Sequence, residues 1–149
     1  IRKVLSRIHL EKLSYAIIGM KMFLFAKPAK GYLILDGIQK VEFNHIYFVS
    51  AHIHPYEGGG FRFAPGADPC DGKLTVCVVH HGKKRKLIPV LMDAFLGRRC
   101  RKPGLRNYNC SEVEIHMERP LALHADGEDC LSQKDVHIRC IPQKLRMMV

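Results

Sequence analysis

Beyond Lys27 the chain is cut by turn signals at intervals of roughly 8–12 residues, which leaves room for short strands and little else. Asp-Gly, the dipeptide best suited to a two-residue hairpin, occurs at Asp36-Gly37, Asp71-Gly72 and Asp126-Gly127. Between the signals lie apolar or alternating runs: Tyr32–Leu35, Val41–Phe43, Ile46–His52, Leu74–Val79, Glu112–Met117, Leu121–Ala125, Val136–Cys140 and Leu145–Val149. Leu74–Val79 reads as a strand buried on both faces, and Leu145–Val149 as an edge strand. Phe61 and Phe63 alternate with Arg62 in the same manner.

Two segments have helical spacing instead. Leu10, Leu13, Ile17, Met20 and Leu24 recur at three- and four-residue steps until Pro28 stops them. Leu87–Leu96 has Pro89 in its first turn, where proline is tolerated, and Gly97 in the usual closing position. About eight short strands with two helices predict a mainly β fold, an antiparallel β-sandwich with helices over about 7–26 and 86–96. At 149 residues the chain is long enough for a single domain over 1–149 and short for two.

The function classes narrow on charge and cysteine. Lys and Arg number 24 against 14 Asp and Glu, a net charge of +10 that calls for an anionic partner. Cys70, Cys77, Cys100, Cys110, Cys130 and Cys140 include no Cys-x-x-Cys pair, which argues against a zinc ribbon. The apolar stretch from Tyr15 to Ala26 is broken by Lys21 and is too short to span a bilayer. The chain opens on Ile1-Arg2-Lys3, with neither an initiator Met nor a signal-peptide pattern. A piece of a longer cytoplasmic protein with reduced thiols is expected. Aromatic residues are 8% with no Trp, so base-stacking platforms for nucleic acid are poorly supplied.

Four segments could carry chemistry. Asp126-Gly127-Glu128 ends a strand, where residues two apart point to one side, so both carboxylates could serve a single reacting centre. The competing reading is an ordinary hairpin turn, favoured about two to one on spacing alone. Gly58-Gly59-Gly60 permits close backbone approach to a ligand, or else makes a β-bulge. Asp68-Pro69-Cys70-Asp71-Gly72-Lys73 could offer oxygens to a hard cation such as Mg²⁺, against a plain proline turn. Lys83, Lys84, Arg85, Lys86, Arg98, Arg99, Arg101 and Lys102 flank the second helix with Asp93 the only acid among them. That density points to a surface facing an acidic membrane or another anion. His52, His54, His80 and His81 read as structural or surface histidines rather than metal ligands.

The order of these segments is more telling than any one of them. Leu13-Ser14-Tyr15-Ala16, Gly58-Gly59-Gly60-Phe61, Ala64-Pro65, Ala67, Asp71-Gly72-Lys73-Leu74, Leu96-Gly97-Arg98-Arg99 and Asp126-Gly127-Glu128 follow one another along nearly the whole chain. The series resembles the C-terminal β-sandwich domain of the diacylglycerol kinase family of bacterial lipid kinases, kin to sphingosine kinases. The resemblance implies a two-domain, ATP-dependent enzyme. Its N-terminal nucleotide-binding domain, with a Gly-Gly-Asp-Gly-Thr segment, is absent from this chain, so the fragment alone is expected to be inactive.

By the same resemblance Asp126 and Glu128 would be catalytic at the lipid hydroxyl, one of them as general base. Gly58, Gly59 and Gly60 would line the cleft. Asp68, Asp71 and Lys73 would hold Mg²⁺, Asp71 through its carboxylate and the other two through backbone carbonyls. The implied partner is a lipid such as diacylglycerol at an acidic membrane surface, reached by a peripherally associated protein; a homo-oligomer is compatible with it. The sequence departs from the family at Arg98-Arg99, where His often follows the helix, and at His52, where many members carry Asn. A reading from another class is a non-catalytic basic β-domain that binds acidic membrane or another polyanion through the same cations.

Overall fold

The computed structural model describes residues 21, 23, 25–57, 61–98 and 103–142. Six strands follow in chain order: β1 (Ala29–Leu35), β2 (Gln39–His52), β3 (Leu74–His80), β4 (Leu105–Cys110), β5 (Glu112–Ala125) and β6 (Glu128–Arg139). One 3₁₀ turn, Lys84–Leu87, leads into helix α1, Ile88–Phe95. The strands form one antiparallel sheet in the order β4-β3-β2-β1-β5-β6.

That order dictates a curl. β4 and β5 stand four places apart in the sheet, yet only Ser111 separates them in sequence. In a flat sheet four spacings of about 4.8 Å would part them by about 19 Å. Two peptide links reach no more than about 7 Å. The sheet therefore bends over its own inner face, and one core collects residues from five strands. Leu33, Leu35, Phe43, Ile46, Val76, Val78, Cys110, Val113, Ile115 and Met117 fill it. This is the sandwich-like β architecture that the spacing of turn signals predicts. Asp36 secures the corner, its Oδ1 accepting the Ser111 N–H at 2.7 Å and the Glu112 N–H at 3.1 Å.

β3 is buried on both faces, as its nearly continuous apolar run, interrupted only by buried Thr75, demands. Val76 and Val78 face the sheet's inner core, and Cys77 and Val79 face α1. The helix presents Val90 and Ala94 from the same side, with Leu87 just before them and Phe63 alongside. Its C-terminus closes as a Schellman motif: Gly97 has φ +67°, Arg98 N–H donates to Asp93 O at 2.8 Å, and Gly97 N–H donates to Ala94 O at 3.2 Å.

The strand boundaries differ from expectation in instructive ways. Val41–Phe43 and Ile46–His52 are one strand, β2, carried through pairing irregularities opposite Ala29/Gly31 and at Ile46/Phe48. Glu112–Met117 and Leu121–Ala125 also fuse, into β5. Pro120 is tolerated there because β1 pairs only as far as Met117, which leaves β5 with β6 alone beyond it among the described residues. β4, Leu-Arg-Asn-Tyr-Asn-Cys, is a strand with no apolar run to announce it, as suits a sheet edge. The helix expected over 7–26 lies outside the described residues except at Lys21, Phe23 and Phe25, which are helical, and Ala26, which is already past its end; 145–149 lies wholly outside them. No disulfide joins the described cysteines, and among the described residues no helix is long and apolar enough to cross a membrane.

Candidate functional site

Past Met117, β5 and β6 leave the sheet as a two-stranded ribbon that ends in Asp126-Gly127. Asp126 (φ 49°) and Gly127 (φ 90°) are both left-handed, so the pair forms a two-residue hairpin loop. The same-side argument made for Asp126 and Glu128 therefore does not apply, because the turn takes Asp126 out of strand alternation. Glu128 opens the returning strand instead. Both carboxylates are exposed, and neither has an ion-pair or hydrogen-bond partner among the described residues. Their availability is a precondition for acid–base work.

The tip does not stand alone. His124, beside it on β5, brings Nε2 to 3.6 Å from Oε1 of Glu57, the residue immediately before the glycine run. The other Glu57 oxygen, Oε2, lies 3.2 Å from Nε2 of His52 at the end of β2. Ser50 Oγ sits 2.6 Å from the same His52 nitrogen. With Ser50 and Glu57 both on Nε2, this is no nucleophile–base–orienter relay, which needs partners on opposite ring nitrogens. It is a clamp. His52 is buried, and burial pushes its pKa below the usual histidine range, opposed by Glu57 and reinforced by His54.

The loop that carries Glu57 is itself well fastened. Glu57 and Phe61 exchange backbone hydrogen bonds of 2.8 and 3.0 Å, and this bridge brackets positions 58–60. Arg62 N–H donates to Ala94 O at 2.8 Å and the Arg62 guanidinium donates to Gly97 O at 3.3 Å, tying the segment to the end of α1. Phe61 stacks on Phe63 and tilts against Phe95. Gly58, Gly59 and Gly60 lie outside the described residues, so their part in a cleft is an expectation carried by what flanks them.

The acidic loop before β3 folds on itself. Asp68 Oδ1 accepts the Cys70 N–H at 2.9 Å, Asp71 Oδ1 accepts the Lys73 N–H at 2.8 Å, and Gly72 has φ +70°. One oxygen of each carboxylate is thus used internally. Asp71 Oδ2 and the Lys73 carbonyl are oxygens of the kind a hard divalent cation takes, while the Asp68 carbonyl already accepts the Asp71 N–H at 3.4 Å.

The basic stretch divides. Lys83, Arg85, Lys86 and Arg98 are exposed, whereas Lys84 turns inward. Its Nζ donates to Ala26 O at 2.7 Å and lies over the Phe23 and Tyr47 rings, so it serves packing and does not face outward as expected. Arg99, Arg101 and Lys102 lie outside the described residues. Glu57 and His124 are the site residues that sequence reasoning missed. The signal was present: each flanks a segment already singled out, Glu57 before the glycines and His124 before Asp126-Gly127-Glu128.

With this geometry in place, comparison with known proteins is decisive for the family. The family model described as the YegS C-terminal NAD kinase beta sandwich-like domain matches residues 3–149. The chain belongs to that family. A curated relative, "Putative lipid kinase YtlR" of Bacillus subtilis (strain 168), is 25% identical over 87 residues, 58% of this chain and 28% of its own length. A crystal structure titled as a "putative diacylglycerol kinase" from Bacillus anthracis str. Sterne superposes with TM-score 0.66 at 19% identity. It covers 83% of this chain, which matches 42% of the solved one. A further structure of that description gives 0.64 at 20% identity. The chain spans less than half the length of these relatives. At such identities the solved structures establish the YegS-type β architecture, and the family match ties it to this sequence.

Proposed function

We propose that this chain is the C-terminal domain of an ATP-dependent lipid kinase, phosphorylating a lipid hydroxyl such as that of diacylglycerol. The observation that supports the reading is the approach of His124 to Glu57 at 3.6 Å and of Glu57 to His52 at 3.2 Å, which brings the Asp126-Gly127-Glu128 tip near the loop that precedes the glycine run. Phosphoryl transfer asks little covalent chemistry of a protein; it asks for positioning, charge neutralisation and a base at the attacking hydroxyl. Asp126 and Glu128 are exposed carboxylates, without a partner among the described residues, able to take that proton. The nearness of His124 to the Glu57 loop supports a defined position for them.

Mg²⁺ fits the oxygens of Asp68, Asp71 and Lys73, and when bound it would brace the loop that opens β3. ATP supplies the phosphoryl group and is bound mainly by residues outside this chain. Lys83, Arg85 and Lys86 crowd the approach to the N-terminus of α1, where the helix dipole disfavours cations and no acid sits in the first turn. Helix stability does not account for them there; a membrane of anionic lipid does.

The test is turnover on diacylglycerol in mixed micelles by the full-length protein, with Asp126→Asn and Glu128→Gln beside wild type. Loss of a general base lowers the rate by about 10²–10⁴ with the melting temperature nearly unchanged. Activity near wild type in both variants would remove the kinase assignment from this site.

A further inference from the structure

At the opposite end of β3 from the clamp, His45, His80, His81, Gly82 and Arg106, with Glu42, line a depression of about 270 Å³. Thr75, which pairs with His52, and His80 are five residues apart on a strand, about 17 Å. The two places are therefore separate. We propose that this depression binds a phosphate monoester.

The charge balance comes first. Arg106 has no carboxylate partner among the described residues. The one acid in the lining, Glu42, is engaged by Lys40 at 2.7 Å. A guanidinium left without an acid at the mouth of a polar hollow is a site for an oxyanion.

The imidazoles add donors. His81 Nδ1 accepts the Lys83 N–H at 3.0 Å, so its proton sits on Nε2, which is left to donate elsewhere. His80 Nε2 is buried in the floor with no hydrogen-bond partner. Burial first, then Arg106 and His81, hold the His80 pKa below the usual histidine range, and a bound anion would offset the two charge effects.

The backbone fixes this set. His81 N–H donates to His45 O at 3.2 Å and His80 N–H to Gly104 O at 2.8 Å. A pairing irregularity between Phe43 and Ile46 encloses Asn44 and His45, and a second follows at Ile46/Phe48, which turns that part of β2 away from regular alternation. A cation is the wrong occupant, since no group of three metal-ligating side chains converges among the described residues and Arg106 would repel it. The volume is below the roughly 300–1,000 Å³ of drug-sized pockets, which suits a phosphate head rather than a whole nucleotide.

The proposal does not rest on the lipid-kinase reading, and its test needs no ATP. Inorganic phosphate is titrated into the full-length protein at constant ionic strength while the imidazole resonances are followed by NMR. Saturable shifts at His80 and His81 are expected, unchanged in Asp126→Asn. Affinity should fall about tenfold or more in Arg106→Gln, the loss expected for one charge-assisted contact. Phosphatidylcholine vesicles with and without phosphatidic acid identify the source. Competition by the phosphatidic acid vesicles supports a lipid headgroup, and phosphate binding without such competition supports a soluble monoester. Shifts that chloride reproduces, or that persist at full strength in Arg106→Gln, overturn the site.

Discussion

Glu57 Oε1 and His124 Nε2 lie 3.6 Å apart, and through them the outermost part of the β5–β6 ribbon is held to the loop between β2 and β3. Beyond Met117 that ribbon has no other strand beside it among the described residues, so this contact has consequences for motion. Glu57→Gln keeps size while removing the charge that faces His52 and His124. Backbone amides at 118–131 should exchange faster in the variant. The melting temperature should change little, because His124 is 60% exposed and such a pair is strongly screened. If exchange over the ribbon were unaltered, the clamp would have no positional role.

Glycines at two positions should respond in opposite degree. A Cβ on Gly31 would sit 2.6 Å from the His116 carbonyl oxygen and 2.7 Å from Met117 Sδ, inside the β1–β5 pairing. The backbone contact cannot give way cheaply, so Gly31→Ala should cost about 2–4 kcal/mol. At Gly127 nothing lies within 4 Å, and only the φ of +90° resists a side chain. Gly127→Ala should cost about 1 kcal/mol. Urea unfolding of both variants checks the ranking, and equal costs would contradict the packing described for β1.

What the sequence made legible follows from what each element depends on. Leu74–Val79 and the Asp36-Gly37 turn were readable because burial on two faces and left-handed turn geometry restrict residue type locally. β4 was not readable: an edge strand with Arg106, Asn107 and Asn109 exposed imposes no apolar period. The fusion of β5 across Pro120 depends on where β1 stops pairing, which is a property of the whole sheet. The site divides the same way. Asp126-Gly127-Glu128 stood out as a local pattern, whereas the meeting of His124 with Glu57 depends on how the ribbon lies over the fold. Lys84 was misread because charge density along the chain does not say which way a side chain turns.

Buried titratable groups set the pH range of stability. His52 and His80 both titrate below the unfolded value of about 6.5, chiefly through burial. A lowered histidine favours folding fully above the unfolded value, and the contribution is lost as pH falls through the folded one. Cys110 acts at the other end, its thiol pushed up to about 11 by burial with Asp36 and Glu112 adding to it. Its contribution is complete below the unfolded cysteine value and is lost as pH rises toward the folded one. Urea midpoints should therefore fall on acidification below about pH 6.5. His80→Gln should flatten that limb. Exposed Cys70 should react with a thiol reagent long before buried Cys110. A midpoint independent of pH across the acid limb would contradict the burial of both histidines.

Leu131 is the one place where the ribbon works against its own residue. It is 73% exposed and has φ +62°, a left-handed conformation that suits Gly or Asn. Asp129 Oδ1 accepts the Leu131 N–H at 2.9 Å, which holds the kink whatever side chain stands there. The pairing irregularity between Ala122 and His124 lies just across on β5, so the kink sets the local register of the ribbon. Leu131→Asn should relieve about 1 kcal/mol of strain and raise the melting temperature by a few degrees. Burial does not explain the leucine, and if the proposed lipid-kinase reading holds, its exposed side chain is free to meet a lipid surface. The same variant should then bind phosphatidylcholine–diacylglycerol vesicles less tightly while becoming more stable. A loss of stability in Leu131→Asn would show that the left-handed turn is not strained. Unchanged vesicle binding, with the stability gain intact, would leave the leucine without a role in lipid contact.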